Sequence, residues 1–304
     1  MAKVYLENAQ LMATFDTKGA ELLSVKRKNR ISGELEEQEY IWSGDPKYWG
    51  RHAPILFPFV GTQKGKQYQH KGIIYPMTQH GFARDKEFVM QTKEKNRIWF
   101  KLSSDEETKK CYPFEFILWI GYELEEDTIQ VFYRVENYSK EKMYFAIGAH
   151  PGFTCPLVEG TLQEEYSFRF PHINALTYSI VNMENGLKQE NTYQMDLVKK
   201  EEYGYLKLEK GLFDRDALII EQSRINEVAL CKADNKPYVI VKFDTPLFGL
   251  WSPAGKNAPF VCIEPWYGRC DSEEFDGELS EKEYINELDM GESFERSYSM
   301  QFLP

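Results

Sequence analysis

The sequence lacks long apolar runs, paired cysteines, basic tracts and glycine-rich phosphate loops, and each absence closes a class of function. No stretch approaches the roughly 18 consecutive apolar residues that cross a bilayer, and the N-terminus MAKVYLENAQ lacks the charged-then-apolar layout of a signal peptide. The expectation is a cytoplasmic chain with no membrane partner. Five cysteines (Cys111, Cys155, Cys231, Cys262, Cys270) are odd in number and contain no Cys-x-x-Cys pair, which argues for reduced thiols rather than a disulfide framework or a zinc site. Five histidines (His52, His70, His80, His150, His172) show neither His-x-His nor His-x-x-x-His spacing, so no two project together from one element as metal ligands. No metal and no cofactor are expected.

Basic charge is also short: 48 acidic residues against 37 basic ones leave a net charge of −11, so nucleic acid is not an expected partner. There is no Gly-x-x-x-x-Gly-Lys-Ser/Thr, no Gly-x-Gly-x-x-Gly and no Gly-x-Ser-x-Gly. Phosphate cradles and a serine nucleophile on a strand-to-helix elbow are thereby set aside.

What the chain does have is apolar content of 42%, enough for a large core in 304 residues, and a dominant period-two alternation. Phe116, Leu118, Ile120, Tyr122 and Leu124 lead through Glu125-Glu126-Asp127-Thr128 to Ile129, Val131, Tyr133 and Val135, which predicts a hairpin. Strand-like segments recur at 11–15, 22–25, 98–102, 143–147, 217–220, 238–243, 260–263 and 294–302. Helical signals are few; the best is Ser280-Glu281-Lys282-Glu283, which has the form of a capping box before a helix that Gly291 would stop. The fold class expected is all-β: one large antiparallel β-sandwich over residues 1–304 with few short helices.

Four polar segments mix titratable residues with aromatics: Tyr48 to Pro58, Thr78 to Arg84, Gly148 to Phe153 (GAHPGF), and Ile263 to Gly268. Glu264 follows the apolar run Phe260–Ile263 and precedes Pro265, so the strand is expected to stop there and hold the carboxylate at a sheet edge beside Trp266 and Tyr267. Aromatic surroundings desolvate a carboxylate, disfavour its charge and make it a better base at neutral pH. His150 ends its own strand-like run, and His80 stands beside Gly81, where a ligand could approach the backbone. Arg51 and Arg84 supply guanidinium forks next to aromatics. The same local sequences also suit a surface glutamate, a turn histidine bonded to a carbonyl, and ordinary surface arginines.

The ordered segments RHAPILFPFVG, HGFAR, GAHPGF, LFDRDALII and CIEPWYGRCD, with GAELLSVKRK and YIWSGDPKYW before them, resemble the aldose 1-epimerase (galactose mutarotase) family, in particular its LacX-like branch. The likeness runs from about Gly19 to Phe302, and it implies a galactose mutarotase-like supersandwich acting on a small sugar without a cofactor. It implies Glu264 as general base, His150 as general acid, and His80 assisting at the ring oxygen. Arg51, Arg84, Trp266 and Asp216 become candidate sugar contacts; Asp214, two residues from Asp216, is the competing choice and would face the same side of a strand. Glu264 and His150 are expected across one cleft with a pyranose between them. Pro151-Gly152-Phe153 after His150 departs from many mutarotases, so a hexose phosphate remains the alternative substrate. A non-catalytic carbohydrate-binding sandwich is the other alternative, and a homodimer is compatible with the sequence.

Overall fold

The alternation of Phe116–Glu125 and Thr128–Asn137 buries every second side chain and brings the strands into antiparallel register from Phe116 opposite Asn137 to Glu125 opposite Thr128. Glu126 takes a positive φ of 48° in the two-residue turn. The computed structural model describes residues 3–31, 34–221 and 224–304. Among the described residues this hairpin lies inside a ten-stranded sheet, faced by an eight-stranded one; a four-stranded sheet (residues 3–39) and two two-stranded sheets complete the architecture, and every strand pair is antiparallel. One continuous core runs between them, from Phe15 and Leu22 through Leu118 and Val131 to Val261 and Met300. The all-β expectation is met, and the strand-like segments above fall on observed strands, except that 143–147 is divided between Met143–Phe145 and Ile147–Ala149 and that Ala217 precedes the strand Leu218–Glu221.

Two local expectations fail for physical reasons. No helix follows Ser280: a single 3₁₀ turn spans Leu279–Glu281, and Asn286–Leu288 is a strand paired with Met143–Phe145. Tyr284 has a φ of 59°, which a right-handed helix does not admit. Lys282 is buried against Asp271, and Glu283 is drawn to Arg269 instead of capping a helix. Among the described residues the α-helix that does form is Glu106–Cys111, capped by Asp105, whose side chain accepts the Thr108 N–H at 2.7 Å. Among the described residues no helix is long and apolar enough to cross a membrane.

The second failure is at Pro265. The strand does not stop there but runs Phe260–Tyr267, buried along its whole length. On one side it pairs with Leu247–Trp251, and on the other with Ile147–Ala149 and then Gly152–Thr154. Gly148 stands opposite Trp266 and Gly152 opposite Cys262, so the register is the same on both sides of the break, and His150 falls opposite Glu264. Pro265, opposite Ala149, has no N–H to donate, and Pro151, opposite Ile263, has none either; the ladder is interrupted between these positions.

Candidate active site

Side chains at Cys262, Glu264 and Trp266 share one face of their strand by the period of two. Two glycines flank Trp266 on the neighbouring strands and make room for its ring. A Cβ on Gly249 would come within 2.5 Å of the indole, and one on Gly148 within 2.7 Å. The GAHPGF segment is itself anchored on its far side, where His150 N–H donates to the Pro54 carbonyl at 3.1 Å and Gly152 N–H to that of His52 at 2.8 Å. The histidine at the end of a strand is therefore a cross-strand partner of Glu264, held between two neighbours.

Nε2 of His150 lies 3.3 Å from Oε2 of Glu264. Glu264 is 1% exposed, and neither of its oxygens has a hydrogen-bond partner in the protein. Burial pushes its carboxyl well above the usual range, and the charge of Asp216 adds to this. Burial likewise pushes His150 down to about 3, with Arg84 and Arg51 contributing in the same direction. A buried polar group left without a partner is costly unless a ligand supplies one.

The surroundings of the pair are aromatic. Trp49 stacks on the His150 ring at 4.7 Å between centroids, and Trp251 meets it edge-on at 5.1 Å. The His80 ring lies 5.7 Å from that of His150 at 81°. His80 has a φ of 65°, and its Nδ1 accepts the Gly61 N–H at 3.0 Å, so in the neutral ring the proton sits on Nε2. Burial first, then His150 and the two arginines, keep His80 well below its ordinary value. Gly81 serves a different end from the one expected: a Cβ there would lie 2.2 Å from the Phe57 carbonyl oxygen, so the glycine admits backbone and not ligand.

A cavity of about 570 Å³ opens over Glu264, His150, His80, Trp266, Arg84 and Asp216. Six of the seven candidate residues are thus brought together. The seventh, Arg51, bonds Asp85 at 2.8 Å and lines an adjoining open cleft of about 910 Å³, which shares Trp49 and Arg84 with the cavity but contains neither Glu264 nor His150. The smaller space holds the carboxyl–imidazole pair. Arg84 donates to the Gln79 carbonyl at 2.6 Å; its Nε is buried without a partner, and burial lowers its pKa to about 10.

Asp214 and Asp216 do not share a strand face, because residues 211–216 form a turn and the strand begins at Leu218. Asp214 is exposed, whereas Asp216, at a φ of 66°, reaches the cavity. Burial raises its carboxyl, while hydrogen bonds from the Ala217 N–H and the Trp251 indole hold it down. Trp49, Trp251, Gln79, Asn182 and Asn185 also line the cavity without having been singled out. Trp49 and Gln79 lie inside the marked segments Tyr48 to Pro58 and Thr78 to Arg84; Asn182 and Asn185 belong to a turn between strands and carry no local signal.

The acid–base pair does not straddle a space for a pyranose, since 3.3 Å separates its polar atoms. The chemistry does not need a gap there. In a pyranose the anomeric hydroxyl oxygen and the ring oxygen are bonded to the same carbon, so a base for one and an acid for the other belong side by side beneath the ring. Arranged in this way the site can remove one proton and supply another on adjacent oxygens.

The chain is similar in sequence and in fold to known proteins. The family model for aldose 1-epimerase matches residues 2–284. The chromosomal protein LacX of Lactococcus lactis is 31% identical over 309 residues, covering 99% of this chain and 99% of that protein. The crystal structure of a galactose mutarotase related enzyme from Lactobacillus acidophilus superposes with a TM-score of 0.88 at 35% identity, covering 100% of this chain and 98% of the other. A galactose mutarotase-like protein from Lactobacillus casei gives 0.85 at 29% identity, with 99% of both chains covered. With a matching family model over most of its length and a full-length relative in LacX, the chain belongs to the aldose 1-epimerase family.

Proposed function

We propose that the protein interconverts the α and β anomers of a hexose by acid–base ring opening. The observation that carries this reading is the buried, unpartnered Glu264 carboxyl 3.3 Å from the His150 imidazole at the floor of one cavity. The pair holds one proton. In the productive form Glu264 is the carboxylate and His150 the imidazolium, and hydroxyl donors of a bound sugar favour that form over the neutral one. Glu264 takes the proton of O1–H, and that bond's electrons form the C1=O1 carbonyl. The C1–O5 bond breaks, and its electron pair takes the His150 proton onto O5. Rotation about C1–C2 and the reverse transfers close the ring as either anomer. The pair ends each half-reaction with the same single proton, so neither water nor a cofactor enters the balance.

His80 stays neutral in this scheme and offers its Nε2–H as a hydrogen-bond donor to the sugar. Asp216 and Arg84 meet hydroxyls, and Trp266 and Trp49 present aromatic surface to the C–H faces of the ring. A second reading, a hexose phosphate substrate, is favoured by one feature: the partnerless Nε of Arg84, with Asp85 no nearer than 3.9 Å.

Polarimetry on freshly dissolved α-glucose, α-galactose and α-glucose 6-phosphate tests these readings together. Acceleration of a free hexose supports the first, and selective acceleration of the phosphate supports the second. Binding of all three with no acceleration would leave a carbohydrate-binding protein and overturn both.

A further inference from the structure

Beneath the acid–base pair lies a residue that ring opening does not use. Cys262 is two positions before Glu264 on the same strand face, and opposite it stands Gly152. One ligand atom each from His150, Cys262 and Glu264 lies within 4.8 Å of the others, and all three residues are buried. Both Glu264 oxygens and Nδ1 of His150 lack partners. The histidine and cysteine spacing rules could not foresee this trio, because it is assembled across two strands.

We propose that His150, Cys262 and Glu264 form a latent site for a soft divalent cation such as Zn²⁺, whose binding displaces the shared proton and blocks sugar turnover. The donor set selects the cation. Thiolate, imidazole and carboxylate suit zinc, whereas calcium and magnesium require shells of oxygen. Three protein ligands leave a fourth tetrahedral position open. Bond lengths of about 2.0 to 2.3 Å place tetrahedral ligand atoms roughly 3.3 to 3.8 Å apart, so side-chain shifts of about 1 Å complete the site. Charge balances as well. One thiolate, one carboxylate and a neutral imidazole cancel the two positive charges of the ion, which removes the main penalty for burying it. The thiol proton and the proton of the pair leave to solvent, so binding tightens as pH rises.

Titration of the metal-free full chain with Co²⁺ is the test, because a thiolate ligand gives a charge-transfer absorption that carboxylates and imidazoles do not. One equivalent of Co²⁺ should produce that band, Zn²⁺ should abolish it, and Zn²⁺ should inhibit mutarotation reversibly on addition of a chelator. Cys262→Ser should weaken metal binding by more than the roughly 10- to 100-fold that loss of an outer-shell partner costs, while mutarotation without metal persists. Should that variant fold poorly, Cys262→Ala and Glu264→Gln remove one ligand each by a different change. Cys270 also lines the cavity, so Cys270→Ser must retain the band. Absence of a thiolate band, or a band lost with Cys270 and kept without Cys262, overturns the proposal. The spectrum does not depend on turnover, so its failure is distinct from failure of the epimerase reading.

Discussion

Glu264 and His150 behave as one group because they are buried together, and exchanging either should cost more than a single contact. Glu264→Gln removes the base while keeping shape, and should lower the catalysed rate by about 10²- to 10⁴-fold in polarimetry. Near-native mutarotation in that variant would remove the base assignment. The pair also sets the pH profile. His150 is held down at about 3 and Glu264 is raised well above its ordinary 4.5, so the one-proton state extends far above the usual carboxylate range. With a chelator present, kcat/KM should therefore show no histidine break at pH 6.5 and should decline as pH rises through the raised pKa of Glu264. A break at 6.5 would instead place a solvated histidine in the rate. Glu264 and His150 were legible as candidates because each follows an apolar run and precedes a proline. Their contact was not, because it depends on a register shared across two strands. The choice of Asp216 over Asp214 rests on a turn that period-two reasoning read as strand.

At the scale of elements, the strand Phe260–Tyr267 presents its chemistry only because its neighbours have glycine where Trp266 crosses them. Gly249→Ala places a methyl group 2.5 Å from the indole and must move it. Overpacking of this kind costs about 1 to 3 kcal/mol, to be read from urea denaturation. Because the displaced ring lines the cavity without exchanging protons, KM should rise more than kcat falls. An unchanged KM would mean that Trp266 is packing alone. The strands themselves were legible from alternation, and the hairpin 116–137 with its two-residue turn is the clearest instance. Segment 280–291 was not, because a capping-box pattern is local, whereas the buried Lys282–Asp271 pair and the strand formed by Asn286–Leu288 are long-range. Pro265 misled in the same way: a proline ends a strand only where a neighbour needs its N–H, and here the neighbouring ladder is already interrupted.

For the molecule as a whole, the site is a stability liability whose sign changes with pH. His150 has a folded pKa near 3 and an ordinary value of 6.5, so below 6.5 the unfolded chain binds more protons and folding stability falls. By pH 5 this histidine alone accounts for about 2 kcal/mol, and His80, shifted in the same direction, adds to it. Glu264 acts in the opposite sense. Its folded carboxyl keeps a proton that the unfolded chain releases above 4.5, so stability drains away as pH rises through the interval up to its raised value. The two limbs belong to different residues and can be separated. In calorimetry from pH 5 to 8 with a chelator present, Glu264→Gln should gain on the native chain as pH rises, since a neutral amide has no proton to lose. His150→Asn should flatten only the acid limb. Parallel curves for native and Glu264→Gln protein would mean that the carboxyl is ionised and solvated in the folded state, and the acid–base pair would lose its physical basis.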